Sequence, residues 1–133
     1  MPGPILTEAL VTPLFLPSLV APFPVVGVST VLVNGAPALA VSALVAQLAI
    51  PDKEYELPSA TPGLGMIVLD DPGLVTSRVM SPEGPLAISP LVAIPATFVV
   101  VVPGVIPPGI LDAAPKPGTV LIEPLSPPTV FAG

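Results

Sequence analysis

The residues of this chain best equipped for chemistry are its carboxylates. Asp70 and Asp71 are adjacent, and Asp52, Glu54 and Glu56 alternate around Lys53 and Tyr55. Paired carboxylates can do acid–base work, and oxygen clusters can hold Ca²⁺. Here Asp70-Asp71 precedes Pro72-Gly73, where aspartate bonds its own backbone and makes a turn. The 52–56 cluster lacks the glycine and the ordered spacing of a calcium loop, so it reads as part of a solvent-facing loop from Pro51 to Pro62. The chain contains neither His nor Cys. That removes the commonest general base, the thiol nucleophile, and the nitrogen and sulfur ligands of zinc. Its bases are Lys53, Arg78 and Lys116, too few to follow a phosphate backbone, and no glycine-rich loop opens a helix. The expectation is a protein without catalytic residues, metal site or cofactor, and without a nucleic-acid or small-molecule partner: not an enzyme.

Any site must therefore be made of shape and apolar surface. Of 133 residues, 52% are hydrophobic, 9% are charged and 23 are proline; a soluble domain usually carries about 25% charged residues and about 5% proline. The chain is too apolar for ordinary disorder and too rich in proline for a helical fold, since each interior proline costs about 3 kcal/mol in a helix. Its net charge of −6 disfavours capture by nucleic acid or an anionic membrane. The length suits one domain, residues 1–133. The apolar content exceeds what one small core needs, so part of it must lie exposed or be covered by a partner, the usual mark of an interaction surface.

Many short β-rich runs between glycine and proline turns predict an all-β fold. Residues 1–24, with Pro2, Pro4, Pro13, Pro17, Pro22 and Pro24, read as an extended, polyproline-like segment. Ser29 to Val33 runs into Asn34-Gly35, a strong hairpin signal. After Pro37, residues 38–50 read as the return strand, with a short helix as the alternative. Further strands are expected at Met66–Leu69, Leu74–Val79, Leu86–Ile88, Ala96–Val102, Thr119–Ile122 and Thr129–Phe131. The turns between them fall at residues 70–73, 82–85, 103–104, 107–109 and 117–118. The segments around Thr30, Thr97 and Thr119 echo one another, either as three walls of one body with threefold character or as a product of composition.

Two charge-free stretches, Ala9 to Pro51 and Gly84 to Leu111, are hydrophobic enough to suggest membrane spans. Prolines interrupt both, and a span needs about 20 apolar residues in one helix. Met1 to Thr7 has no base, so no secretory signal is expected.

The segment Gly27-Val28-Ser29-Thr30-Val31-Leu32-Val33-Asn34-Gly35-Ala36-Pro37-Ala38-Leu39-Ala40-Val41 resembles the repeat of the PAAR (proline-alanine-alanine-arginine) family, whose members sharpen the spikes of contractile tails and secretion machines. Gly27, Thr30, Val31, Val33, Asn34, Gly35, Pro37 and Ala38 match the repeat in register. The family's arginine falls at Ala40 and its closing Gly-Asp at Ser42-Ala43, and its zinc ligands have no equivalent. The resemblance implies a compact, cone-like all-β domain capping the trimeric β-helical spike of a phage tail baseplate or related injection particle. Such a tip would be made in the host cytoplasm and would touch the target cell envelope transiently as it punctures it. A virion decoration or baseplate accessory protein is the alternative, followed by a membrane-active polypeptide. The sequence does not identify which apolar residues dock on the partner.

Overall fold

Runs of Val, Ile, Thr and Phe broken every few residues by glycine or proline can only be short strands. The computed structural model describes residues 3–15, 18–33, 35–57, 61–90, 92–112, 114–125 and 131–132. In chain order its elements are β1 (Gly3–Pro4), β2 (Glu8–Leu14), β3 (Leu19–Val20), β4 (Phe23–Val26), β5 (Leu32–Val33), β6 (Ala36–Pro37), α1 (Val41–Leu48), β7 (Lys53–Glu56), β8 (Gly63–Leu69), β9 (Thr76–Ser81), β10 (Gly84–Ala87), β11 (Ile94–Val102), β12 (Gly104–Ile106), β13 (Ile110–Asp112), β14 (Lys116–Pro124) and β15 (Phe131–Ala132). The fold is all-β with one short helix.

Seven strands form an antiparallel sheet in the order β3-β7-β8-β11-β14-β2-β4, which curls into a half-barrel. Its two edge strands, β3 and β4, are consecutive in sequence and separated only by Ala21-Pro22. Three Cα–Cα steps from Val20 to Phe23 span at most about 11 Å, so the two edges are tied close together. Between β2 and β3, Phe15 and Ser18 form an isolated bridge, and α1 packs against β4, β8 and β10. The pairs β5–β6, β9–β10 and β12–β13 are hairpin excursions from this meander.

Prolines sit in the sheet strands where the ladder runs on one side only. Pro13 is opposite Val120, but β4 joins β2 only as far as Val11. Pro117 is opposite Thr97, whereas β2 joins β14 only from Thr119. Pro95 precedes the stretch that β8 pairs, and Pro24 lies on an edge strand. A residue without an N–H is tolerated at such places.

Inward-facing residues alternate along β2, β8, β11 and β14. They build a core around Phe98, whose ring centroid lies 5.7 Å from Phe15 and 5.2 Å from Tyr55, the latter edge-on. Two glycines make room for these rings. A Cβ on Gly65 would overlap the Phe98 ring, and one on Gly118 would lie 2.6 Å from Cδ1 of Phe15. A second, smaller cluster joins Ile5, Ala38, Leu86 and Ile88, with Val31 and Val33 packed against it.

Several expectations are corrected. The proline-rich N-terminal segment is extended as expected but does not merely run over a surface: β2 is an interior strand between β14 and β4. Residues 38–50 contain the helix α1 rather than a return strand. Val41, Leu44, Val45 and Leu48 repeat at helical spacing and bury Leu44 and Leu48, so the 3.6-residue period outweighs the β-propensity of valine. The 51–62 loop contains β7, where Tyr55 is fully buried and Lys53 nearly so. Pro117-Gly118 is not a turn but part of β14, and residues 72–75 begin the expected 74–79 strand as a 3-10 turn. Thr129 lies outside the described residues. The threefold echo also fails: Thr97 and Thr119 belong to the adjacent antiparallel strands β11 and β14, while Thr30 lies in the β4–β5 connection. Neighbouring antiparallel strands are not related by a threefold axis.

Candidate docking surface

Antiparallel pairing gathers the C-terminal ends of β2, β7 and β11 with the N-terminal ends of β3, β8 and β14 at one end of the half-barrel. At that end Leu14, Leu19, Val101 and Val102 face solvent. β11 outruns its partner there: β14 pairs it only as far as Phe98, and the alternation of buried and exposed residues lapses over Val99–Val102. The β12–β13 hairpin continues from this end, turning at Pro107-Pro108-Gly109, with Ile110 60% and Leu111 62% exposed. The opposite end carries exposed Glu8, Asp70, Asp71 and Glu123. Exposed acidic and apolar side chains meet at both ends: Glu56 pairs with Leu19 at the first, and Glu8 with Val26 at the second.

The apolar rim is held rigidly. The Tyr55 hydroxyl accepts a hydrogen bond from the Gly104 N–H at 2.9 Å and donates to the Asp112 carbonyl at 3.0 Å, clamping both strands of the hairpin. Thr61 adds a second clamp. Its N–H donates to the Val105 carbonyl at 2.9 Å, and its Oγ1 accepts from the Val105 N–H at 2.8 Å. Lys116 pairs with Asp112 at 2.9 Å and lies 5.5 Å from the centre of the Tyr55 ring. These two charges neutralise each other, and Glu56 stays exposed beside Leu19.

Burial pushes the Tyr55 hydroxyl above the usual tyrosine range, with the nearby Asp112 adding to the effect and the Gly104 N–H opposing it. Below about pH 10 the phenol is neutral in both folded and unfolded chains, so its contribution to stability is constant. Above that, the unfolded chain loses its proton first and stability falls until the folded group also ionises. Tyr55 is the sole tyrosine, and there is no tryptophan. Alkaline titration of the phenolate absorbance should therefore give one transition, with a midpoint above that of free tyrosine. Tyr55→Phe should cost about 1–3 kcal/mol at neutral pH, because it orphans the Gly104 N–H, and should remove this alkaline loss. A midpoint at the free-tyrosine value would contradict the burial.

Asp71 Oδ1 accepts from the Gly73 N–H at 3.1 Å, the turn role expected here, whereas Asp70 Oδ1 accepts from Thr97 Oγ1 of β11 at 2.8 Å. Asp52 bonds Lys53 at 2.6 Å, which lowers its pKa. Lys53 also donates to the Gln47 and Ile50 carbonyls at 3.1 and 3.2 Å, stabilising the C-terminal end of α1. Among the described residues, no three acidic side chains are grouped to hold a metal ion, and no helix is long and apolar enough to cross a membrane.

The residues of the Gly27–Ala38 motif come together away from the apolar rim. Leu32 pairs with Pro37 and Val33 with Ala36, around a turn in which Gly35 adopts φ = 80°. Asn34 lies outside the described residues. The Ser29 N–H donates to the Ala38 carbonyl at 3.1 Å, and the Ala38 N–H to the Val31 carbonyl at 2.8 Å. Gly27 packs directly on Pro37 and Ala38, and the Thr30 N–H donates to Glu83 at 3.1 Å. These contacts attach a small apolar layer to the half-barrel; they position no reactive group.

Sequence reasoning missed the rim residues Leu14, Leu19, Val101, Val102, Ile110 and Leu111. The available signal was the unbroken run Val99–Val102, where alternation stops. No family model and no curated protein matches this chain.

Proposed function

We propose that this chain is a non-catalytic assembly protein that seats its apolar rim on a larger β-structured partner, as the tip of the central spike of a phage tail or related contractile injection particle. The cluster of exposed apolar side chains at the β12–β13 end of the half-barrel carries this reading. The open end of a trimeric β-helical spike presents apolar core and unpaired strand edges. A rim made of Leu14, Leu19, Val101, Val102, Ile110 and Leu111 would cover them. The resemblance of Gly27–Ala38 to the PAAR repeat supports the spike-tip form. A single tip meets three spike chains here through one apolar patch, without internal threefold symmetry. Puncture is then mechanical: contraction drives the spike, and the tip concentrates force on the envelope.

Copy number and position test this reading. Images of intact particles should place one copy of the chain on the tail axis, at the distal end of the spike. Many copies spread over the capsid shell would instead assign it a decorating role.

A further inference from the structure

A cleft lies between the C-terminal end of α1, the β3–β4 connection and β7. It encloses about 360 Å³, within the range of ligand pockets. Pro22, Phe23, Pro24 and Ile50 supply apolar wall, and Asp52 and Glu54 line the same space. Lys53 is the one base in the lining, but its ammonium has no donor to spare. It donates to the Gln47 carbonyl at 3.1 Å, to the Ile50 carbonyl at 3.2 Å and to Asp52 Oδ1 at 2.6 Å, and an ammonium carries only three N–H groups. An anion entering the cleft would find no free donor on it. The Glu54 carboxylate is exposed and, among the described residues, makes no hydrogen bond or ion pair. The charge left free in the cleft is therefore negative. A second hollow of about 260 Å³ adjoins it, lined by Leu19, Val20, Ala21, Glu54 and Glu56. Leu19 belongs to the apolar rim, so a chain seated at that end reaches these carboxylates within a few residues along β3.

We propose that this cleft takes an arginine side chain of the polypeptide that docks at the rim, an inference that rests on that docking reading. A guanidinium stays charged, stacks on flat apolar surface such as an aromatic ring, and bonds carboxylates through two parallel N–H groups. Its aliphatic stem suits a wall of proline and isoleucine. The protein's own lysine shows the same match from inside: Lys53 Nζ lies 4.8 Å from the centre of the Phe23 ring. The hydrogen bond from Lys53 lowers the pKa of Asp52, which keeps that carboxylate ionised. The net charge of −6 favours the approach of a basic segment. An acidic side chain or a phosphate would meet Asp52 and Glu54 with like charge.

The test titrates the full chain with the end-blocked peptide Gly-Arg-Gly and follows the amide resonances of Phe23, Gln47 and Glu54. The peptide should shift them saturably. Replacing its arginine with citrulline, which keeps the shape and loses the charge, should weaken binding about 10-fold or more. Glu54→Gln should weaken binding of the arginine peptide about 5-fold, the scale of a partly exposed charge pair. Glu123→Gln, at the opposite end of the half-barrel, should bind it like the parent. A parent chain whose cleft resonances do not shift saturably would overturn the proposal. So would equal binding of the arginine and citrulline peptides, or equal binding by the parent and Glu54→Gln. Putrescine that bound more tightly than the peptide would overturn it in favour of a free small cation. The titration contains no docking partner, so its failure removes the arginine site and leaves docking at the rim standing.

Discussion

Replacing Phe98 with alanine should remove about 3–5 kcal/mol of stability, the cost of deleting a large buried aromatic. Domains of this kind have about 5–15 kcal/mol in total, so the variant should unfold at much lower denaturant concentration or temperature than the parent. Phe98 is fully buried and is the ring that both Phe15 and Tyr55 touch. Its loss therefore loosens β11, the turn after β2, and the tyrosine that clamps the β12–β13 hairpin. Gly65→Ala should destabilise from the other direction by about 1–3 kcal/mol, because the added methyl overlaps the Phe98 ring and the Val99 carbonyl. The two changes share one space, so their effects should not add: in Phe98→Ala, the further cost of Gly65→Ala should shrink. Equilibrium denaturation of both single variants and the double variant measures this coupling. Strict additivity would mean that the ring does not pack over Gly65.

The second large effect should appear in binding rather than folding. Ile110→Asp with Leu111→Asp alters two exposed side chains of a hairpin that is held by backbone and Tyr55 hydrogen bonds. Such surface changes usually alter stability by no more than about 0.5 kcal/mol each. At the centre of a docking surface, however, apolar anchors contribute about 2 kcal/mol or more apiece, and two buried carboxylates without partners add a desolvation penalty. Affinity for the proposed partner should fall by at least about 100-fold while the unfolding midpoint stays close to that of the parent. Glu123→Gln, at the opposite end of the half-barrel, should leave affinity unchanged. Equal losses at both ends would remove the assignment of the docking surface to the β12–β13 end.

The all-β class was legible because glycine and proline recur too often for long helices, and valine-rich runs between them are strand-length. The turn at Gly35 and the turn role of Asp71 were legible for the same local reason. What the sequence hid is set by tertiary pairing. Pro13 and Pro117 look like strand breakers, yet each sits where its strand is paired on one side only. Lys53, Glu54 and Glu56 look like a solvated loop, yet they flank Tyr55 in a strand that turns the tyrosine into the core. Val41 to Leu48 satisfies both periods locally, and only the burial of Leu44 and Leu48 selects the helix. The apolar rim was anticipated by composition as excess hydrophobic surface. Its location depends on how far β11 extends past β14, which no local pattern specifies.

The proposed role is tested by the mass of the complex formed when the purified chain is mixed with the trimeric β-helical spike proposed as its partner. One copy should bind per trimer, with free components under the same conditions when the chain carries Ile110→Asp and Leu111→Asp. A folded parent chain that leaves the trimer bare, or a variant that loads it as fully as the parent, would contradict the account.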